Sequence, residues 1–204
     1  MKVGVVDYGM GNLHSVSKAL EHAGARQVDL VNQPEQLAAY DRVVLPGVGA
    51  MGACVDSIRA AGFDQALADY VRQRPMLGVC VGMQALFEQG DESGGVAGLG
   101  WFHGQVNHFP QDIAEQGLKI PHMGWNQVVH DGHPLFDGID SGERFYFVHS
   151  YRVAASAEAI AHCEHGAAFV AAVGQDNVVA TQFHPEKSQH AGLQLYANFL
   201  KWTP

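Results

Sequence analysis

The feature that most restricts the fold is a set of short, unbroken apolar runs: Val3 to Val6, Val43 to Leu45 and Met76 to Cys80. A strand with one wet face alternates apolar and polar residues, whereas a run that is apolar at every position reads as a strand buried on both faces. Between these runs lie stretches with apolar residues at helical spacing. Leu13 to Ala23 is one, with Gly24 as its stop; the sequence predicts further helix over Val55 to Arg74 and over Met83 to Glu88. Buried strands that alternate with helices make a parallel sheet covered on its faces.

After Gly90 the pattern changes. Arg144 to Val148 reads as a strand, and Phe169 to Val173 with Val178 to Phe183 reads as an antiparallel hairpin turning at Gln175-Asp176-Asn177. Gln189 to Trp202 sets Leu193, Leu195, Tyr196, Phe199 and Leu200 on a face that would pack a last helix on the sheet. With 204 residues and 47% hydrophobic content the chain is long enough for one sizeable core and short for two. The expectation is an α/β fold of three layers around an open mixed sheet, in one domain over residues 1–204.

Composition excludes several classes of function. Asp and Glu number 21 against 12 Lys and Arg, a net charge of -9, and no basic cluster marks a phosphate-backbone footprint, so nucleic acid is not an expected partner. No 18-residue apolar run and no leader-like start occur, which predicts a cytoplasmic protein with no membrane association. The three cysteines, Cys54, Cys80 and Cys163, are odd in number and lack CxxC spacing, so neither a disulfide framework nor a redox motif is available. His130/His133 and His162/His165, with Cys163 between the latter, raise a zinc reading, but each pair lacks a second pair at zinc-finger spacing. Gly9 and Gly11 with His14 in the place of a third glycine fail the dinucleotide fingerprint. No metal or cofactor is expected.

The chemistry concentrates at two places. Gly78-Val79-Cys80-Val81-Gly82 follows an apolar strand and matches a nucleophile elbow, a sharp strand-to-helix turn with cysteine at its centre. Such a turn strains its central residue and needs flanking residues without Cβ so that the chains can cross closely. A cysteine hydrolase also needs a general base, and the base needs a group to fix its tautomer. Phe183-His184-Pro185-Glu186 ends the last predicted strand, where residues two apart point the same way, so Glu186 can reach Nδ1 of His184 while Nε2 faces the thiol. Separately, Cys80 could be an inert core cysteine and the His-Pro-Glu triplet an ordinary surface turn; together they are far more specific.

Extended to Gly78-Val79-Cys80-Val81-Gly82-Met83-Gln84 and His184-Pro185-Glu186-Lys187-Ser188, these motifs resemble the class I glutamine amidotransferases. Val6 to Leu13, Leu45 to Ala50, Pro121 to Asn126 (with Trp125) and Tyr146 to Tyr151 look like the glutaminase subunits of imidazole glycerol phosphate synthases and are spread over most of the chain. Val81 stands where that family more often has leucine, a position at which only the backbone N–H is used.

The resemblance implies a flavodoxin-like core and a Cys80, His184, Glu186 triad hydrolysing glutamine. It implies an oxyanion hole from the N–H groups of Val48 and Val81, and glutamine held by Gly49, Gln84, Ser150 and Tyr151. It also implies a heterodimer with a (β/α)8-barrel cyclase subunit that receives the ammonia, with Asn12, Trp125 and Lys187 at the interface. Two alternatives stay open: the glutaminase of another synthase, and a noncatalytic α/β protein whose elbow cysteine senses redox state.

Overall fold

A computed structural model describes residues 1–204, the side chain of Ala114 excepted. The apolar runs are strands: β1 (Lys2–Val6), β2 (Gln27–Val31), β3 (Arg42–Gly47) and β4 (Met76–Cys80). They are joined by α1 (Leu13–His22), α2 (Met51–Ala60) and α3 (Phe63–Tyr70), and the single-turn α4 (Val81–Gln84) follows β4. Strands β5 (Phe87–Gly90), β6 (Val96–Ala97), β7 (Phe102–His108), β8 (His122–His130), β9 (Glu143–His149), β10 (Tyr151–Val153), β11 (Ala159–Glu164), β12 (Ala168–Gln175) and β13 (Val178–Thr181) precede the final helix α5 (Gln189–Lys201).

Nine strands form one sheet in the order β2-β1-β3-β4-β13-β12-β11-β8-β9. From β2 through β13 neighbours run parallel, and from β13 through β9 they alternate in direction, so the sheet is mixed as expected. Its parallel part has the 2-1-3-4 order of flavodoxin-like folds. Strand order reverses at β1, and right-handed crossovers on either side of a reversal leave their helices on opposite faces. Accordingly α1 packs with α5, while α2 packs with α3 and α4. Residues such as Val5, Val44, Leu77 and Val179 are fully buried. A second sheet, β10-β7-β5-β6, lies beside α2 through β6.

Two predicted helices differ. Helix over Val55 to Arg74 is two helices, beginning earlier at Met51 and broken at Gly62, whose φ of 73° lets the chain turn out of α2. The helix predicted over Met83 to Glu88 is one turn ending at Gln84, after which Phe87 enters β5. There Leu86 and Phe87 are consecutive and both fully buried, which a helix lying on one face of a sheet does not need but a chain sandwiched between two sheets does. The hairpin is present, with Gln175 opposite Val178 and Asp176 in left-handed conformation.

Candidate active site

The end of β4 builds the first half of the site. Cys80 has φ 55° and ψ -113°, a conformation that a side-chain-bearing residue holds only when its surroundings impose it. The surroundings here are backbone. β3 pairs Gly47 with Cys80, a Cβ on Gly82 would overlap the Leu45 carbonyl oxygen, and one on Gly47 would overlap the Gly82 nitrogen. The chains can cross this closely only because both positions are glycine, and the crossing turns the thiol off the sheet edge.

β13 is the parallel neighbour of β4, with Thr181 in register with Val79, so the residues just beyond β13 emerge beside Cys80. The backbone there is clamped: the His184 N–H donates to Tyr146 O at 2.9 Å, and the Ser188 hydroxyl donates to His184 O at 2.6 Å. Glu186 Oε1 accepts from His184 Nδ1 at 2.8 Å, with both side chains almost wholly buried. A carboxylate facing Nδ1 fixes the proton on that nitrogen. Nε2, also buried, has no hydrogen-bond partner within the protein. Burial opposes charge on this imidazole, yet Cys80 and then Glu186 outweigh it and push its pKa up to about 10. His184 therefore carries its proton at neutral pH.

One cavity of about 360 Å³ holds Cys80 and His184 together with Val48, Gly49 and Val81. Gln84, Ser150, Tyr151 and Lys187 line it too, so every residue expected in the oxyanion hole or around the substrate borders the same space as the thiol. Glu186 stands behind His184. Larger cavities of about 530 and 600 Å³ exist; one lies beside Gln175 to Val178 at the far end of β13, and the other against β8 and β11, away from Cys80. Trp125 and Asn12 do not line the site. The exposed Trp125 ring meets Tyr146 edge to face at 6.1 Å, and Lys187 Nζ lies 5.8 Å from the same ring, so Trp125 and Lys187 share Tyr146 as a common support. Asn12 stands at the start of α1 and makes no side-chain cap.

Sequence reasoning missed three polar residues here: Gln182, Glu92 and His149, the last lining the cavity. Gln182, fully buried, donates from Nε2 to Cys80 Sγ at 3.8 Å and accepts at Oε1 from Gln84 Nε2 at 3.0 Å. Its signal was a polar residue inside an apolar run, directly before Phe183-His184. Glu92 borders the cavity and accepts from the Met51 N–H at 2.6 Å. It lies in a polar, glycine-rich loop that gives no local sign of it.

Neither histidine pair gathers further ligands around it among the described residues. Among the described residues no three His, Cys, Asp or Glu side chains could hold an ion together. His162 is exposed and Cys163 buried on opposite faces of β11, while His130 and His133 accept from the N–H groups of Gly132 and Leu135 in the adjoining turn.

Residues 4–202 match the glutamine amidotransferase class-I family model. The chain belongs to the class-I glutamine amidotransferases. This amidotransferase is 51% identical over 206 residues to the imidazole glycerol phosphate synthase subunit HisH of Acinetobacter baylyi, covering 99% of this chain and 98% of that one. It is 50% identical to the subunit of the same name from Dechloromonas aromatica, covering 99% and 97%. A solved glutamine amidotransferase superposes with a TM-score of 0.74 at 19% identity, covering 98% of this chain and 97% of that one, a likeness of fold. The amidotransferase has no helix among its described residues that is long and apolar enough to cross a membrane.

Proposed function

We propose that this chain is the cytoplasmic glutaminase subunit of an imidazole glycerol phosphate synthase, with Cys80 as nucleophile, His184 as acid and base, and Glu186 as the group that orients the imidazole. The observation that carries the reading is the buried Glu186–His184 pair set against a strained elbow cysteine in one cavity. Cys80 Sγ attacks the side-chain carboxamide carbon of glutamine, and the carbonyl oxygen takes the negative charge. Val48 and Val81 N–H groups receive that oxyanion; Val81 is the first residue of α4, where backbone N–H groups have no intrahelical partner. The C–N bond breaks as His184 delivers its proton to the nitrogen, releasing ammonia and leaving a glutamyl thioester. Water then adds to the thioester with His184 taking its proton, and the C–S bond breaks to give glutamate and free Cys80.

Gly49, Gln84, Ser150 and Tyr151 hold the amino-acid end of the substrate, with the Glu92 carboxylate available to its ammonium. Ammonia passes to a (β/α)8-barrel cyclase subunit, which makes imidazole glycerol phosphate and an aminoimidazole carboxamide ribotide in histidine biosynthesis. Asn12, Trp125 and Lys187 sit at that interface; the exposed Trp125 and Lys187, both against the half-buried Tyr146 ring, support this. The test is glutamine hydrolysis with and without the cyclase and its ligand, for wild type and Cys80→Ala. Wild type should turn over glutamine, faster in the liganded complex; Cys80→Ala should not, while ammonia still supports the synthase. Glutamine turnover by Cys80→Ala would end the assignment.

A further inference from the structure

A second pair of buried histidines, which the mechanism does not use, begins at the cavity wall with His149 and runs back from it to His122. His122 Nδ1 is 2.9 Å from His149 Nε2. The direction of each hydrogen bond in this region follows from partners of fixed character. At one end His149 Nδ1 lies 2.8 Å from the Tyr151 carbonyl oxygen, which can only accept, so the proton is on Nδ1 and Nε2 is an acceptor. At the other end the Asn126 carboxamide is oriented by two backbone groups: its nitrogen donates to Glu164 O at 2.7 Å and its oxygen accepts from the Gln127 N–H at 2.8 Å. The same nitrogen lies 3.1 Å from His122 Nε2, which must therefore accept, placing the His122 proton on Nδ1. Deductions from the two ends meet in one bond, His122 Nδ1–H to His149 Nε2, with one proton between two nitrogens.

The series continues into the site. Tyr151 O accepts a second hydrogen bond from Gln84 Nε2 at 3.1 Å, and the other hydrogen of that amide goes to Gln182 Oε1, which leaves Gln182 Nε2 for Cys80 Sγ. Both amide hydrogens of Gln84 are thus used, and its Oε1 is the atom left for a substrate donor.

We propose that His122 and His149 are positioning residues, a two-imidazole relay of fixed polarity that holds the Tyr151 carbonyl and, through Gln84 and Gln182, sets which atoms the glutamine site presents. This rests on the glutaminase reading for its catalytic consequence. The relay works only with both rings neutral: a second proton on His149 would face His122 Nδ1–H, and one on His122 would face the Asn126 amide. Burial, with smaller contributions from the histidines around them, pushes His122 down to about 3 and His149 down to about 4. The titratable groups acting on the pair are each other, His165, which stacks on His122 with centroids 4.2 Å apart, and His184. Phe109, Phe147 and Phe169 pack against the two rings, and His149 also borders the cavity.

A packing role and a relay role predict opposite orders for two variants. His122→Phe keeps the aromatic stack on Phe147 and His165 but removes the donor, leaving His149 Nε2 a buried acceptor without a partner and the ring held by its bond to the Tyr151 carbonyl alone. His122→Asn loses the stack but keeps an amide N–H where Nδ1 stood. In the complex with the cyclase, kcat/KM for glutamine should fall about tenfold in the Phe variant, mainly through KM, as expected for a lost buried hydrogen bond. In the Asn variant it should stay within about threefold of wild type. Wild-type kinetics from a folded His122→Phe, or an Asn variant poorer than the Phe variant, would overturn the relay. Nitrogen-15 spectra of the imidazoles supply a readout independent of any activity. Both rings should be neutral and protonated at Nδ1 at pH 7, and an Nε2-protonated or cationic ring would overturn the proposal even if the chain hydrolysed no glutamine. Should wild type lack glutaminase activity while the spectra show this tautomer pair, the glutaminase reading fails and the relay stands.

Discussion

Replacing Glu186 by glutamine tests how the base is held without changing its shape. The carboxylate oxygen lies 2.8 Å from His184 Nδ1, both side chains are almost fully buried, and the imidazole is charged at neutral pH. Opposite charges centred about 4 Å apart at an effective dielectric of about 20 attract by about 4 kcal/mol. An amide oxygen keeps a neutral hydrogen bond to Nδ1 worth about 1 kcal/mol. The loss of about 3 kcal/mol corresponds to roughly a hundredfold in rate. His184→Ala removes acid and base together and should lose more, toward the upper end of the roughly 10²–10⁴-fold that acid–base catalysis supplies. The pH profile carries a second signature. Without the Glu186 charge, burial is opposed by Cys80 alone, so the His184 pKa falls from about 10. The imidazolium needed to protonate ammonia is then lost at lower pH, moving the alkaline limb of the rate downward. The assay is glutamate release by the cyclase complex from pH 6 to about 11, which spans the wild-type limb near 10 and the lower limb of the variant. An unchanged rate with an unmoved alkaline limb would refute the triad geometry as the source of activity.

Gly82→Ala places a Cβ against the Leu45 carbonyl, which must displace the elbow. A displacement of about 1 Å corresponds to roughly a hundredfold in rate, with about 1–3 kcal/mol of destabilisation by overpacking; glutamine hydrolysis and thermal melts should show both, and full activity would contradict the close crossing. The His122/His149 pair predicts acid sensitivity. An unfolded chain protonates both near pH 6.5, whereas the folded chain resists until about 4 for His149 and about 3 for His122. The stability they contribute is therefore whole above pH 6.5 and is lost as pH falls from there toward 3, by about 3 kcal/mol for His149 and no more than a similar amount for His122. Urea midpoints that stay flat between pH 6.5 and 4 would disprove it.

The elbow was legible because it is local. Steric need writes glycines around Cys80, and buried parallel strands write unbroken apolar runs. His184 and Glu186 were legible as a pair, but the strand expected to run through Phe183 stops at Thr181, and Glu186 reaches His184 Nδ1 from a 3-10 turn that begins at Pro185. What sequence could not show was cross-chain. The break at Gly62 sits among good helix formers, and Phe87 in β5 is set by pairing with Phe102 of β7 in a second sheet. Gln182 and the histidine relay join residues far apart in sequence, and nothing in the composition of either segment announces the other.

The placement of β13 bears on when the chain becomes an enzyme. The hairpin that carries it is the last part of the sheet to leave the ribosome, yet it belongs in the middle, between β4 and β12. Until it arrives, the parallel and antiparallel halves share no edge, and Cys80 has no His184 beside it. With 104 residues separating the two (184 − 80), and elongation at about 5–20 residues per second, the interval is on the order of ten seconds. A nascent or C-terminally clipped chain thus carries Cys80 without His184, and on the proposed mechanism activity switches on in the step that zips the two half-sheets together.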